Sequence, residues 1–398
     1  MTSTHQTGGL WIVLSAVLLW PLAGLRAAET NAPAGLRLNL PVNYQVQQRA
    51  TRTEGRVTVA GALLSVCNEA GTLEARLVGA SSKADWHTLA TLQPGATNFH
   101  ADMKASAGGW YRLEVRLQQA GTLVAEGVVE HVGVGEVFVV AGQSNSANHG
   151  EERQQSKTGL VATFHDGQWQ LARDPQPGAS GSGGSFMPPF GDAIAECFHV
   201  PVGFIAVGVG ATSVREWLPR GARFTNPPTL TGHVTQLASG EWESKGTLFE
   251  SFVTRMKSAG PQGFRAVLWH QGESDANQRD ANCTLPGALY RQYLEQLIRD
   301  SRREIGWEPP WFVAQASYHT PDDTGSPDLR AAQQSLWQSG LALEGPDTDA
   351  LTGDLRDSGG QGVHFSGQGL REHGARWATK VSPWLEQQLG LDPRRLSN

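Results

Sequence analysis

Four short segments of this 398-residue chain carry residue types that can do chemistry together. They are Gly142-Gln143-Ser144-Asn145, Gly208-Val209-Gly210-Ala211-Thr212-Ser213, Trp269-His270-Gln271-Gly272-Glu273-Ser274 and Gly362-Val363-His364-Phe365. A hydroxyl, an imidazole, carboxylates and glycine-flanked backbone amides are the parts that acyl transfer needs. It uses a nucleophile, a base for its proton, and donors aimed at the developing oxyanion. Ser144 is the candidate nucleophile. His364 is the candidate base, because a neutral imidazole titrates near working pH. The N–H groups of Ser144 and Gly210 are candidate oxyanion donors, with a side-chain amide of Gln271 or Asn145 as a third. Each such donor is worth about 3 kcal/mol in the transition state. His270 reads as supporting or pocket-lining, and His149, His165 and His199 as surface or loop residues. Arg215 and Trp217 either shape a pocket or pack their own turn.

Apolar runs precede the first three of these segments. Residues 137–141 form a Val-rich run of the kind that fits a strand covered on both faces. Similar runs occur at 202–207, 266–269 and 311–316. Helical stripes are expected at 190–198, 248–258, 287–305 and 328–339, and after Ser366, a candidate N-cap. Residues 219–246 read as polar loop. Repeated strand–helix units imply a parallel sheet with helices on both faces. Its strand carboxyl ends share one edge, so the four segments can converge.

Residues 36–131 follow a different rule. Short period-2 alternations are separated by Gly, Asn, Ser and Pro, as in a small immunoglobulin-like or jelly-roll sandwich. The expected organisation is a signal peptide over 1–28, a β-sandwich module over 30–132 and an α/β domain over 133–390. Trp86, Trp110 and Tyr111 of the module are expected to pack in its core or at the domain junction rather than bind sugar faces.

Residues 10–25 are apolar and lead into Arg26-Ala27-Ala28, as in a secretory signal or an uncleaved anchor. Either exports the chain, making it secreted or periplasmic. No later run of 18 apolar residues follows, so no membrane contact is expected beyond a possible N-terminal anchor. The net charge of −6 offers no footprint for nucleic acid. Cys67, Cys197 and Cys283 fit no zinc or redox spacing; no metal, cofactor or disulfide framework is expected.

The four segments, in this order over 137–380, resemble the SGNH-hydrolase superfamily in its sialate O-acetylesterase-like branch of carbohydrate esterases. The resemblance rests on Gly-Gln-Ser-Asn at 142–145, the Gly210 turn with Trp217 after it, Trp-His-Gln-Gly-Glu at 269–273 and Val-His-Phe at 363–365. It implies a flavodoxin-like three-layer α/β/α domain preceded by a β-module. It also implies metal-free removal of O-acetyl groups from carbohydrate, with acetylated polysaccharide such as xylan expected ahead of sialic acid. One position departs from the family: where it places an aspartate three residues before the histidine, this chain has Gln361. In related esterases the glutamate of Gln-Gly-Glu can serve as the triad acid, which favours Glu273. Asp357 is the alternative, since Ser358-Gly359-Gly360 can fold it back, and Asp354 is a third. Two rival readings follow: a carbohydrate-binding protein with a decayed esterase domain, supported by Gln361, and an esterase acting on non-sugar acyl groups.

Overall fold

The structure is a computed structural model that describes residues 35–79 and 85–390; the expected signal or anchor segment lies outside them. It is a mixed α/β structure built on a large central sheet. At the sheet's centre lies one long strand, Thr122–Gly142. Val202–Ala206 pairs parallel to it on one side and Ala266–His270 parallel on the other. Val161–His165 extends the first side; Trp311–Gln315 and Leu343–Asp347 extend the second. After the central strand the chain builds one side of the sheet, then crosses to build the other. The carboxyl end of the central strand is therefore a topological switch point, where open parallel sheets form a crevice.

Burial explains why the apolar run at 137–141 has no polar alternation. Val137, Val139 and Ala141 enter one core cluster with residues of helices Thr247–Ser258, Gly287–Ile305 and Pro327–Gln338. Phe138 and Val140 enter another with residues of Met187–Phe198 and Gly367–Gly390. Both faces are covered, so both must be apolar. These five helices match the sequence expectation to within a few residues. Ser366 caps the last one: its hydroxyl accepts the N–H of Gly369 at 3.1 Å.

Sequence periodicity misses the short strands. The region 219–246, expected as loop, contains a small antiparallel sheet of Arg223–Phe224, Val234–Gln236 and Trp242–Ser244. Two or three residues are too few to show a period. Leu343–Asp347 is likewise hidden, because its Gly345 and Pro346 read as a turn.

Upstream, Leu36–Leu40, Glu54–Leu63 and Asn98–Ser106 form one antiparallel sheet. Gly71–Val78 pairs with His87–Leu92 and Gly108–Gln119. Gly108–Gln119 pairs in turn with the first part of the long central strand. That strand therefore runs without a break through the border expected near 132. A buried ion cluster lies just beyond it. Glu136 is fully buried and accepts from Arg49 Nε at 2.6 Å, Arg265 Nε at 2.7 Å and Gln48 Nε2 at 2.9 Å. Trp110 packs at this junction: its indole N–H donates to the Gly159 carbonyl at 2.9 Å and its ring meets Tyr44 edge-on. Trp86 is half-buried under the guanidinium groups of Arg76 and Arg116. Among the described residues, no helix is long and apolar enough to cross a membrane.

Candidate active site

The central strand ends at Gly142, whose positive φ of 124° suits glycine. A Cβ there would overlap the carbonyl oxygen of His270 on the adjacent strand. That close approach lets Gln143 N–H donate to the same carbonyl at 2.9 Å. The Gln143 side chain then ties the turn to the next strand end: its Oε1 accepts from Ser274 N–H at 3.0 Å and Gly272 N–H at 3.3 Å. Ser144 follows at the start of a single 3-10 turn, Ser144–Ser146. Gly142 and Gln143 thus each have a local reason.

Ser144 and His364 line the same cavity of about 780 Å3, together with His149, Gly210, Glu273 and His319. The sequence expectation that the four segments meet at one edge holds for their geometry. The partner of His364, however, is not the acid preferred from the sequence. His364 Nδ1 lies 3.5 Å from Asp357 Oδ2. Glu273 instead accepts from Asn145 Nδ2 at 2.8 Å and faces His270 Nε2 at 3.0 Å. Asp354, the third acid considered, is exposed.

The segment 356–365 explains why Asp357, rather than Glu273, lies beside His364. Arg356 and Phe365 form an antiparallel bridge, and Asp357 N–H donates to the His364 carbonyl at 3.0 Å. The connecting residues Ser358, Gly359 and Gly360 all have positive φ, at 53°, 65° and 88°. This left-handed turn, disfavoured for residues with a Cβ, brings Asp357 back against His364. Gln361 stays at the cavity rim. Gly362 completes the fit, because a Cβ there would overlap Asp357 Oδ1. Gly362→Ala is expected to push the carboxylate off the imidazole and lower kcat about 10²-fold, the scale of a 1 Å misplacement. Steady-state kinetics beside an unchanged circular dichroism spectrum check this.

The groups expected as oxyanion donors differ in the partners they already have. Gln271 is fully buried, and its Nε2 donates to Asp275 Oδ2 at 2.6 Å, Thr212 O at 3.2 Å and Gln143 Oε1 at 3.2 Å. An amide with two hydrogens has none left for the cavity. Both Asn145 Nδ2 hydrogens are likewise engaged, by Glu273 and by the Val363 carbonyl at 3.1 Å. Gly210 N–H donates to Ser180 Oγ at 2.7 Å. Ser144 N–H has no hydrogen-bond acceptor among the described residues, which leaves it available to a ligand.

Other residues of the cavity had no motif to mark them, His149 and Ser180 among them. His149, expected as a surface or loop residue, lies in a loop against His364 with ring centroids 5.4 Å apart. Burial, and then the charge of His364, lower its pKa and favour neutral imidazole. Its Nε2 lies 3.0 Å from Ser180 Oγ. Isolated histidine and serine residues in Gly/Ser-rich loops carry no periodic signal, and only the fold places them. Arg215 and Trp217 pack their turn: both are fully buried, Arg215 Nη2 donates to Asp275 Oδ1 at 3.0 Å, and Trp217 Nε1 donates to Thr212 Oγ1 at 2.9 Å.

Beneath the cavity floor runs a second polar chain. Trp377 Nε1 donates to His373 Nε2 at 3.0 Å, so that nitrogen is an acceptor, and His270 Nδ1 lies 3.1 Å from it. Burial, reinforced by the charges of His270 and nearby arginines, holds the His373 pKa well below the usual imidazole range. Burial alone would raise the Glu273 pKa. The charge of His270 and the hydrogen bonds from His270 and Asn145 outweigh it and bring the value to about 2, so Glu273 is ionised. Among the described residues, no group of three His, Cys, Asp or Glu side chains is placed to hold a metal ion.

The profile of one protein family, described as carbohydrate esterase, sialic acid-specific acetylesterase, matches residues 134–382. No curated protein matches. Among solved structures, the chain is similar to a carbohydrate acetylesterase from Xanthomonas citri, at 19% identity and TM-score 0.48, covering 87% of this chain and 74% of that one. It is also similar to a family 2 carbohydrate esterase with a carbohydrate-binding domain from Corynascus thermopiles (Myceliophthora fergusii), at 11% identity and TM-score 0.34, covering 89% and 100%. A family 2 carbohydrate esterase from Clostridium thermocellum, solved with cellohexaose, aligns at 10% identity and TM-score 0.34, covering 85% and 93%. At these scores the structural likenesses carry no argument, and the assignment rests on the family match.

Proposed function

Because the chain belongs to the carbohydrate esterase family of sialic acid-specific acetylesterases, carboxylic ester hydrolases that deacetylate carbohydrate, we propose that it works as a serine esterase with Ser144 as nucleophile, His364 as base and Asp357 as the acid behind it. The observation that carries this reading is the approach of Asp357 Oδ2 to His364 Nδ1, on the cavity that Ser144 also lines. Ser144 Oγ attacks the acetyl carbonyl while His364 Nε2 takes its proton. The Ser144 N–H stabilises the tetrahedral oxyanion. The Gly210 N–H joins it once Ser180 Oγ yields. His364 returns the proton to the departing sugar oxygen, leaving acetyl-Ser144. Water then attacks the acetyl carbonyl with His364 as base again, and His364 passes that proton to Ser144 Oγ as acetate leaves.

In this reading the central sheet with its covering helices is the flavodoxin-like three-layer α/β/α domain of SGNH hydrolases over 133–390. Residues 30–132 are a β-sandwich module that shares its last strand with the sheet. The carboxylate beside His364 removes the ground for a decayed site, which rested on Gln361. The apolar run at 10–25 supports export, so the substrate is an extracellular or periplasmic glycan. Acetylated plant or algal polysaccharide is placed ahead of O-acetylated sialic acid. Acetate release from acetylated xylan and O-acetylated sialic acid, beside phenol release from long-chain acyl aryl esters, tests this reading. It expects the first to have the highest kcat/KM. Preference for the long-chain esters overturns the carbohydrate assignment, and preference for the sialic acid reverses the order of sugars.

A further inference from the structure

We infer that the main-chain carbonyl of Val363 is the point through which the nucleophile, base and acid segments are held in register, with Asn145 and Arg356 as its positioning residues and Glu273 as the anchor of Asn145. The inference rests on the reading of Ser144, His364 and Asp357 given above. It assigns to Glu273 and Asn145 work other than that of triad acid and oxyanion donor.

The three segments converge on this single oxygen. Asn145, the residue after Ser144, donates to it from Nδ2 at 3.1 Å. Arg356, the residue before Asp357, donates to it from Nη1 at 2.7 Å. The carbonyl belongs to the residue before His364. A carbonyl has two lone pairs, and both are used. Each donor is fixed in its own right. The other Asn145 hydrogen goes to Glu273 Oε1 at 2.8 Å. Arg356 is 2% exposed. Its Nη2 donates to the Thr348 carbonyl at 2.8 Å and its Nε to that of Leu351 at 2.5 Å. Its guanidinium carbon lies 4.0 Å from the Tyr318 ring centroid and 4.3 Å from that of Phe365.

A buried cation directed at three carbonyls rather than a carboxylate is costly unless its hydrogen bonds are all made. Here they hold the turn that carries the acid. Asn145 would leave a free hydrogen if it served the oxyanion; it leaves none. Glu273 accepts from Asn145 and faces His270, and so fixes the Asn145 amide on the side away from Val363. The imidazole of His364 is thereby set relative to Ser144 by backbone, with no direct bond required between the two side chains.

Hydrogen exchange by mass spectrometry over residues 360–366, with kcat and KM on one acetyl ester, tests the hub on the full chain. Asn145→Ala is expected to speed exchange of this segment and lower kcat about 10²-fold with little change in KM. Glu273→Met is expected to do the same, and Glu273→Gln, which keeps the acceptor, to recover most of the loss. Arg356→Lys, which keeps the cation but not the fork, is expected to speed the same exchange. Combined with Asn145→Ala it should add less than its separate effect, because both act on one carbonyl. Lowered kcat with unchanged exchange in Asn145→Ala overturns the inference and makes Asn145 an oxyanion donor. Glu273→Gln as damaging as Glu273→Met overturns the anchoring role. Exchange is read without turnover, so a chain that released no acetate would refute the esterase reading while leaving the hub open to the same test.

Discussion

Ser144→Ala is expected to lower kcat about 10⁶-fold on any acetyl ester the protein turns over, with KM little changed. The size follows from the role. Without Oγ no acyl-enzyme forms, and the remaining rate comes from water held near the oxyanion donor. The backbone N–H of residue 144 survives the substitution, so a residual rate about 10³–10⁴-fold above the uncatalysed reaction should persist. His364→Ala should cost nearly as much, and Ser144→Ala with His364→Ala little more than either, because nucleophile and base act as one unit. Acetate release in the single and double variants checks this. Additive losses would mean that the two residues work independently and would refute the proposed pair. The alanine is not expected to perturb the fold, since the turn is held by Gly142, Gln143 and Asn145.

Asp357→Asn is expected to lower kcat about 10⁴-fold, the loss seen when a triad carboxylate becomes an amide. Asp357 Oδ2 faces His364 Nδ1 at 3.5 Å. As a carboxylate it can only accept, so it favours the tautomer with Nδ1 protonated and Nε2 free to take the Ser144 proton. It also offsets the charge that His364 gains in the transition state. An amide removes that charge and can present N–H to Nδ1, favouring the wrong tautomer. Glu273→Gln should lose far less, because Glu273 Oε1 serves Asn145 and His270 and the amide retains an acceptor. Measured side by side, these variants identify the acid. A larger loss in Glu273→Gln would return that role to Glu273.

The carboxylate beside His364 shows where sequence reading ends. Glu273 sits in the motif Trp-His-Gln-Gly-Glu and Asp357 sits in no motif, so local pattern favours Glu273. The choice turns on backbone direction over Ser358, Gly359 and Gly360. Their three positive φ values reverse the chain and return Asp357 to His364. Small residues there permit such a turn without requiring it. Gln271 shows the same limit from the other side. Its place beside the site is legible from the motif, but its Nε2 hydrogens are taken by Asp275 and Thr212, a fact of hydrogen-bond partners rather than of spacing. His149 had no pattern to mark it.

The long elements were legible because burial on two faces demands continuous apolar strands, and burial on one face demands a helical stripe. Those demands are local, and they place Ser144 and His364 at strand and helix ends on one edge of the sheet. From the residues alone follow the alternating α/β pattern, the β-rich region before it, and the serine and histidine proposed as nucleophile and base. Which carboxylate lies beside the imidazole depends on the hand of the backbone over Ser358, Gly359 and Gly360; which N–H remains free and which carbonyl ties the loops together depend on contacts between segments separated by up to 218 positions, as from Asn145 to Val363. No short-range period encodes such distances, so only the tertiary structure decided them.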